Sequence, residues 1–199
     1  MTNQCGIINY ISLSFTGGSM DPRKERIADC FKKHINQLGF KKTSVTDISK
    51  ELKISKKTIY ELFSTKEKIF HYVIYRVAKT HKNSMTKKLE NHQTAKDKIY
   101  ELINMIFSES KKWLKKNDAF EFKYKYEIAE IAFKEAYNEL FAELIKEGIK
   151  NGEFETTNTV ELTICFINGI FSESMKLLSS NPDLEIEKNV SESILKLLN

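Results

Sequence analysis

Between Ser55 and Tyr60 the sequence reads S-K-K-T-I-Y, and Lys56, Lys57, Thr58 and Tyr60 are side chains that can hold an anion without reacting with it. Two ammonium groups, a hydroxyl and a phenol on adjoining turns of one helix suit a phosphate backbone and the base edges of a major groove. Ser44 and Thr46 add hydroxyls at the start of the preceding helix, where backbone N–H groups are ready anion donors; both also suit the plainer role of helix caps. Catalytic chemistry has no comparable footing. There is no glycine-rich phosphate loop and no G-x-S-x-G, and Glu127 and Glu130 read as solvated helix carboxylates as easily as an acid and base pair. We therefore assign no catalytic residue and expect no enzyme. Cys5, Cys30 and Cys165 are far apart with no C-x-x-C, and His34, His71, His81 and His92 show no H-x-x-x-H, so neither a metal site nor a cofactor is expected. The thiols read as reduced and mostly buried, in a cytoplasmic protein.

The basic side chains need a frame. Thr46 can cap a short helix with Ile48 and Leu52 four apart on one face, and Ser55 can cap a second with Ile59, Leu62 and Phe63. The pair reads as a helix-turn-helix. Two helices this short cannot bury themselves, and a third is at hand. Ile27, Cys30, Phe31, Ile35 and Leu38 form one helical stripe, with Asp21 at a capping position, Pro22 in the first turn and Gly39 at the end. Beyond Lys66, the residues Ile69, Phe70, Val73, Ile74 and Val77 carry the pattern into a helix, running roughly to Lys82, that leads into the rest of the chain.

Composition agrees with an all-α fold of about nine helices. The 199 residues contain only 2 prolines and 7 glycines, too few breakers for a strand-rich chain. Charge is uneven: residues 20–79 hold 15 Lys or Arg against 7 Asp or Glu, whereas residues 80–199 hold 17 against 20. The basic excess thus lies where a nucleic-acid footprint would. Residues 1–19 carry no charge, and their apolar run lacks the basic start and cleavage site of an export signal and is too short to span a bilayer. Gly17-Gly18-Ser19 before Met20 is what a purine-rich ribosome-binding sequence would spell as codons, so translation is expected to begin at Met20. A peptide of the native protein spanning Ser19 and Met20, seen by mass spectrometry, would refute this. The expected division is a leader over residues 1–19, a helix-turn-helix domain over 20–66 and a second domain over 67–199.

From Gly39 to Phe70 the order G-F-K-K-T-S-V-T-D-I-S-K-E-L-K-I-S-K-K-T-I-Y-E-L-F-S-T-K-E-K-I-F resembles the DNA-binding domain of the TetR/AcrR family of transcriptional regulators. The resemblance rests on T-S-V-x-x-I, I-S-K-K-T-I-Y, F-x-x-K-E and the apolar-striped helix after Lys66, and it covers roughly Pro22 to Val77. It implies double-stranded DNA as partner. The contacts it implies come from Ser44, Thr46, Ser55, Lys56, Lys57, Thr58 and Tyr60, with Lys66 touching phosphate from the start of the fourth helix. The chain departs from the family at Leu52 (usually alanine), Lys53 (usually the turn glycine), Lys57 (often glycine) and Leu62 (often a phosphate-contacting Tyr or His).

The remaining residues read as further helices. Ile99, Leu102, Ile103, Ile106 and Phe107 form one stripe, and a second run spans about Ala119 to Lys150, closed by Gly148 and Gly152. The segment G-I-K-N-G-E-F, Gly148 to Phe154, resembles the loop that precedes the family's dimerisation helices. From about Thr157 to Leu178 the chain is apolar nearly all round, and Leu184 to Leu198 carries Ile186, Val190, Ile194 and Leu197 as a stripe. These two helices are expected to pair with their copies in a homodimer, through Phe166, Ile170, Phe171, Val190, Ile194 and Leu197. Phe107, Trp113, Phe120, Tyr124, Tyr137 and Phe166 are the candidate lining of a pocket for a small apolar or amphipathic ligand, such as a hydrophobic cation, drug, fatty-acyl compound or flavonoid-like molecule. The expected function is a ligand-responsive regulator, a repressor that binds a palindromic operator as a dimer, with no membrane partner. The alternative is a helical partner-binding or scaffold protein that keeps the fold without operator control.

Overall fold

The structure, a computed structural model, describes the backbone of residues 21–116 and 119–199, and the side chains of these except Trp113, Lys115, Lys116 and residues 119–127. The expected leader therefore lies outside the described residues. Among those described there are eight helices and no strand: α1 (Pro22–Lys42), α2 (Val45–Leu52), α3 (Lys56–Leu62), α4 (Lys66–Leu89), α5 (Ala95–Lys116), α6 (Ala119–Lys150), α7 (Val160–Ser180) and α8 (Glu187–Lys196).

Local chemistry sets the boundaries. Asp21 caps α1, its Oδ1 accepting from the Arg23 N–H at 2.9 Å, with Pro22 in the first turn. Gly39, at φ 78° and ψ 165°, ends the regular helix as its position predicts, and one more turn follows to Lys42. Thr43 closes that turn, its hydroxyl and N–H both donating to the Gly39 carbonyl, at 2.8 and 3.2 Å. The cap of α2 is Ser44 rather than Thr46. Ser44 Oγ accepts from the Asp47 N–H at 3.1 Å and donates to its carboxylate at 2.6 Å. That reciprocal pairing needs an acidic residue three positions on, which Ser44 has and Thr46, three before Ser49, lacks. Ser55, Thr65 and Thr159 cap α3, α4 and α7, each side chain accepting from the N–H three residues on.

Two apolar clusters hold the helices. The first joins Ile27, Phe31, Phe40, Val45, Ile48, Ile59, Phe63, Ile69, Phe70 and Val73, so α1 to α3 close over the start of α4. Phe31, Ile27, Ile48, Ile59 and Ile69 are fully buried, and each contributes roughly 1.5–3 kcal/mol relative to exposure. The second runs from Ala78 and Met85 on α4 through the predicted stripe of α5 to Tyr137, Phe141, Ile145, Ile167 and Ile194. α4 supplies buried residues to both clusters, and Ile128 of α6 packs against the first as well. Gly148 lies within α6, where a Cβ would stand 2.1 Å from Phe154 Cε2, so the chain leaving the helix folds back onto it only because no side chain is there.

The last two helices differ from expectation. α7 buries Thr163, Ile167, Ser174 and Leu178, but Leu162, Phe166 and Leu177 are 43, 43 and 58 % exposed, and Cys165 is exposed beside them rather than buried. α8 is shorter than its stripe, with Ile186 as its cap residue. Val190 and Ile194 are buried in the chain's own second cluster, because α8 packs chiefly on α5.

Candidate nucleic-acid interface and ligand cavity

On α3 the inner side is Ile59, fully buried, followed by Phe63, while Lys56, Lys57 and Tyr60 are exposed. Tyr60 keeps 48 % of its surface although it belongs to a helix of seven residues. An aromatic ring left in water on a short packed helix marks a contact surface more than a core. Lys57 Nζ lies 4.0 Å from Glu61 Oε1, a loose exposed pair that a phosphate can displace. Thr58 shares its hydroxyl with Ser55 at 2.9 Å, which fixes both at the helix start. Ser44 and Thr46 stand, half-buried, in the first turn of α2, Ser44 already engaged with Asp47.

Between α2 and α3, Lys53 is the only described non-glycine residue at positive φ (54°, with ψ 41°). Its N–H reaches the Lys50 carbonyl at 3.2 Å and the Ile54 N–H reaches that of Ser49 at 3.1 Å, the bond pattern of a helix end that usually carries glycine. The turn geometry is thus kept without its customary residue. Lys66 has a second use: its ammonium donates to the Phe40 carbonyl at 2.5 Å and sits 4.2 Å from the centre of the Phe40 ring, tying the start of α4 to the end of α1.

α4 is held to α1 by a clasp that no local sequence signal announces. Arg76 pairs with Glu25 and Asp29, each at 2.9 Å, and the Tyr72 hydroxyl donates to Glu25. Arg76 and Asp29, like Tyr72 and Glu25, are 47 positions apart, beyond any periodicity. On the other side of α4, His71 Nε2 lies 3.1 Å from Glu135 of α6. Burial holds the His71 pKa below its ordinary value against the pull of that carboxylate.

One turn further along α4, Ile74, Val77, Ala78 and His81 line a cavity of about 190 Å³, with its other walls on α5, α6 and α7 and one side open. Its apolar wall is Leu114, Phe133, Tyr137, Phe141, Phe171 and Met175; Glu109, Ser110, Glu130, Lys134, Asn138, Asn168 and Ser172 supply polar groups. Phe133 stacks on Tyr137 with ring centres 4.3 Å apart. Burial pushes the Tyr137 phenol well above its ordinary pKa, with Glu109 adding to the effect, and its hydroxyl meets Met85 Sδ at 3.4 Å. Of the predicted pocket residues, Tyr137 lines the cavity. Phe107 is fully buried one layer back, stacked on Phe171 at 5.3 Å. Phe166 does not belong: it is exposed on the opposite face of α7 from Phe171. The side chains of Trp113, Phe120 and Tyr124 lie outside the described residues. Phe171, read from sequence as an interface residue, is instead a wall of the cavity, since it stacks inward on Phe107 and Phe141.

Comparison with known proteins bears first on the helix-turn-helix. Residues 32–73 match the model of the bacterial regulatory proteins of the tetR family. The match takes in the helix-turn-helix and its flanks, from Lys32 on α1 to Val73 on α4. Likeness of fold to solved structures extends over nearly the whole chain. The RolR complex with resorcinol is similar with a TM-score of 0.72 and 12% identity, covering 89% of this chain and 88% of that one. Thermus thermophilus FadR, a TetR-family repressor in complex with lauroyl-CoA, has a TM-score of 0.67 and 16% identity, over 88% of this chain and 93% of that one. FadR from Bacillus subtilis in complex with stearoyl-CoA has a TM-score of 0.58 and 23% identity, over 87% and 96%. No curated protein matches the sequence. Among its described residues the chain has no helix long and apolar enough to cross a membrane.

Proposed function

We propose that the protein is a homodimeric transcriptional repressor that holds a palindromic operator and releases it when a small molecule enters the cavity. The observation that carries this reading is α4. Its first half packs into the cluster that supports α3, and its second half forms one wall of the cavity. A ligand that shifts Val77 and His81 must therefore also shift the base on which the recognition helix stands. We take residues 20–66 as the DNA-binding unit and 67–199 as the ligand-binding and dimerisation unit. Ser44, Thr46, Ser55, Lys56, Lys57, Thr58, Tyr60 and Lys66 are the residues placed on DNA. The cytoplasm is where such a regulator would work.

Two features refine the sequence reading. The dimer face is the exposed stripe of α7, Leu162, Phe166 and Leu177, with half-buried Ile170 at its margin; Gly169 adds no side chain between them and has open space before it. Phe171, Val190 and Ile194 are spent inside the chain and belong to no such face. The cavity also favours a ligand of modest size. An apolar space of about 150 Å³ accommodates a benzene ring, so about 190 Å³ suits a single-ring compound with one or two polar groups better than a long acyl chain. The ligands named for the RolR and FadR structures, resorcinol and acyl-CoA, bracket that choice.

The test is selection of bound fragments from genomic DNA, followed by affinity measured against random sequence over a range of salt. A preference of at least about a thousandfold for the selected site is expected. Equal affinity for both would leave the scaffold reading in possession of the field. Single-ring phenols should then dissociate the complex and raise the melting temperature of the free protein, whereas acyl-CoA thioesters should do neither.

A further inference from the structure

We propose that Cys30, His34 and Glu51 form a binding site for a zinc-class divalent ion that clamps α1 to α2 beneath the DNA-reading helix. Cys30 and His34 are four apart on α1, so both point from one face, and Glu51 meets them from the last turn of α2. One ligand atom from each lies within 4.8 Å of the others. Ligands of a tetrahedral zinc stand roughly 3–4 Å apart, so small side-chain rotations close the site. Thiolate, imidazole and carboxylate are the donor types that zinc shares with cobalt and that magnesium or calcium would not choose.

The metal-free arrangement is poorly satisfied. His34 Nε2 stands 2.7 Å from Glu51 Oε2, and its Nδ1 is buried with no hydrogen-bond partner. Cys30 is 6 % exposed, so its sulfur faces the group from the interior. Binding an ion takes the thiol proton: the S–H bond breaks, the sulfur lone pair goes to the metal, and one proton leaves to solvent for each ion bound. Lys33 holds the other oxygen of Glu51 at 2.9 Å, but its side chain is 57 % exposed and free to swing into water when the ion arrives. Glu51 itself is 39 % exposed, which gives the ion an entry path and leaves its fourth position to water.

The experiment uses the full chain, metal-free, titrated with Co²⁺ alone. The expected result is one cobalt per chain with a thiolate-to-cobalt charge-transfer band, kept in a Cys5→Ser, Cys165→Ser double variant and lost when Cys30→Ser is added. His34→Gln and Glu51→Gln should each weaken binding about tenfold or more. Zn²⁺ should raise the melting temperature of the wild type and leave that of Cys30→Ser unchanged. Absence of the band, or its survival in Cys30→Ser, overturns the proposal. Should Cys30→Ser fail to fold, as judged by circular dichroism, the other two variants decide: unchanged cobalt affinity in both means that the three residues are only a hydrogen-bonded staple.

Discussion

Lys56 and Lys66 are both lysines at the start of a helix, yet they stand in different physical situations. Lys56 is exposed, whereas Lys66 is half-buried on the Phe40 carbonyl and ring. Lys56→Ala is expected to weaken binding to every DNA sequence alike and to reduce the salt slope by about 1, with thermal stability unchanged. Lys66→Ala should do the same to DNA binding and also destabilise the fold, by about 1–3 kcal/mol, since the Phe40 carbonyl loses a charged donor. Parallel salt titrations and melting curves separate the two. Lys53 offers a cleaner backbone test. At φ 54°, Lys53→Val should lower stability by about 1 kcal/mol or more, because a β-branched side chain fits the left-handed region worst, while Lys53→Asn should be neutral or mildly stabilising. Urea unfolding of both variants checks this, and equal stability would mean that the turn relaxes to another geometry.

At the scale of elements, the termini of the helices are tied by residues from elsewhere in the chain. Glu153, after α6, caps α5: its two oxygens accept from the N–H groups of Ala95 and Lys96 at 3.1 and 3.0 Å. Burial alone would raise its pKa, but those two N–H bonds, with a hydrogen bond from Asn151 and the charge of Lys98, together hold it below the ordinary 4.5. A carboxyl depressed in the folded state adds stability that is fully present above its unfolded value and fades as the pH falls through the folded one. Glu153→Ala is therefore expected to cost about 1 kcal/mol at pH 7 and progressively less below about pH 4, read from denaturation at several pH values. Gly148 makes the complementary point about space. Gly148→Ala should destabilise by about 1–3 kcal/mol through its clash with Phe154, and a second change, Phe154→Leu, should recover part of that loss in a double-mutant cycle.

For the molecule as a whole, the question is what covers α7. Phe166→Asp is expected to leave the monomer folded but to shift the protein from dimer to monomer in analytical ultracentrifugation, and to reduce operator affinity with it. Val190→Asp, on a residue that is 7 % exposed, should instead unfold the chain at any concentration. If the two variants behave alike, the assignment of one residue to the surface and the other to the core is wrong. Ligand and operator must also be reciprocal: whatever factor the ligand takes from DNA affinity, saturating DNA must take from ligand affinity.

The reader was legible in the sequence because its physics is local. Caps, a turn and an apolar stripe three and four residues apart are written within a few turns, so Ser55, Asp21, Gly39 and the outward residues of α3 could be placed from spacing alone. Thr46 was misplaced only because two hydroxyls competed for one cap, and the reciprocal bond to Asp47 chose Ser44. Spacing also found which residues of α5, α7 and α8 are apolar, but not which neighbour each face meets. Val190 and Phe166 look alike in a stripe; packing on α5 buries one and leaves the other in water. The clasp of Arg76 on Glu25 and Asp29, the cavity wall at Phe171 and the meeting of Glu51 with Cys30 and His34 join residues from different helices. A search for C-x-x-C or H-x-x-x-H passes over such a group. Apolar periodicity determined that this chain would be helical, and the capped, basic α3 determined what it could grip. Only the tertiary structure decided which apolar faces are spent inside and which stay exposed, because burial depends on the neighbouring helix and not on the helix itself.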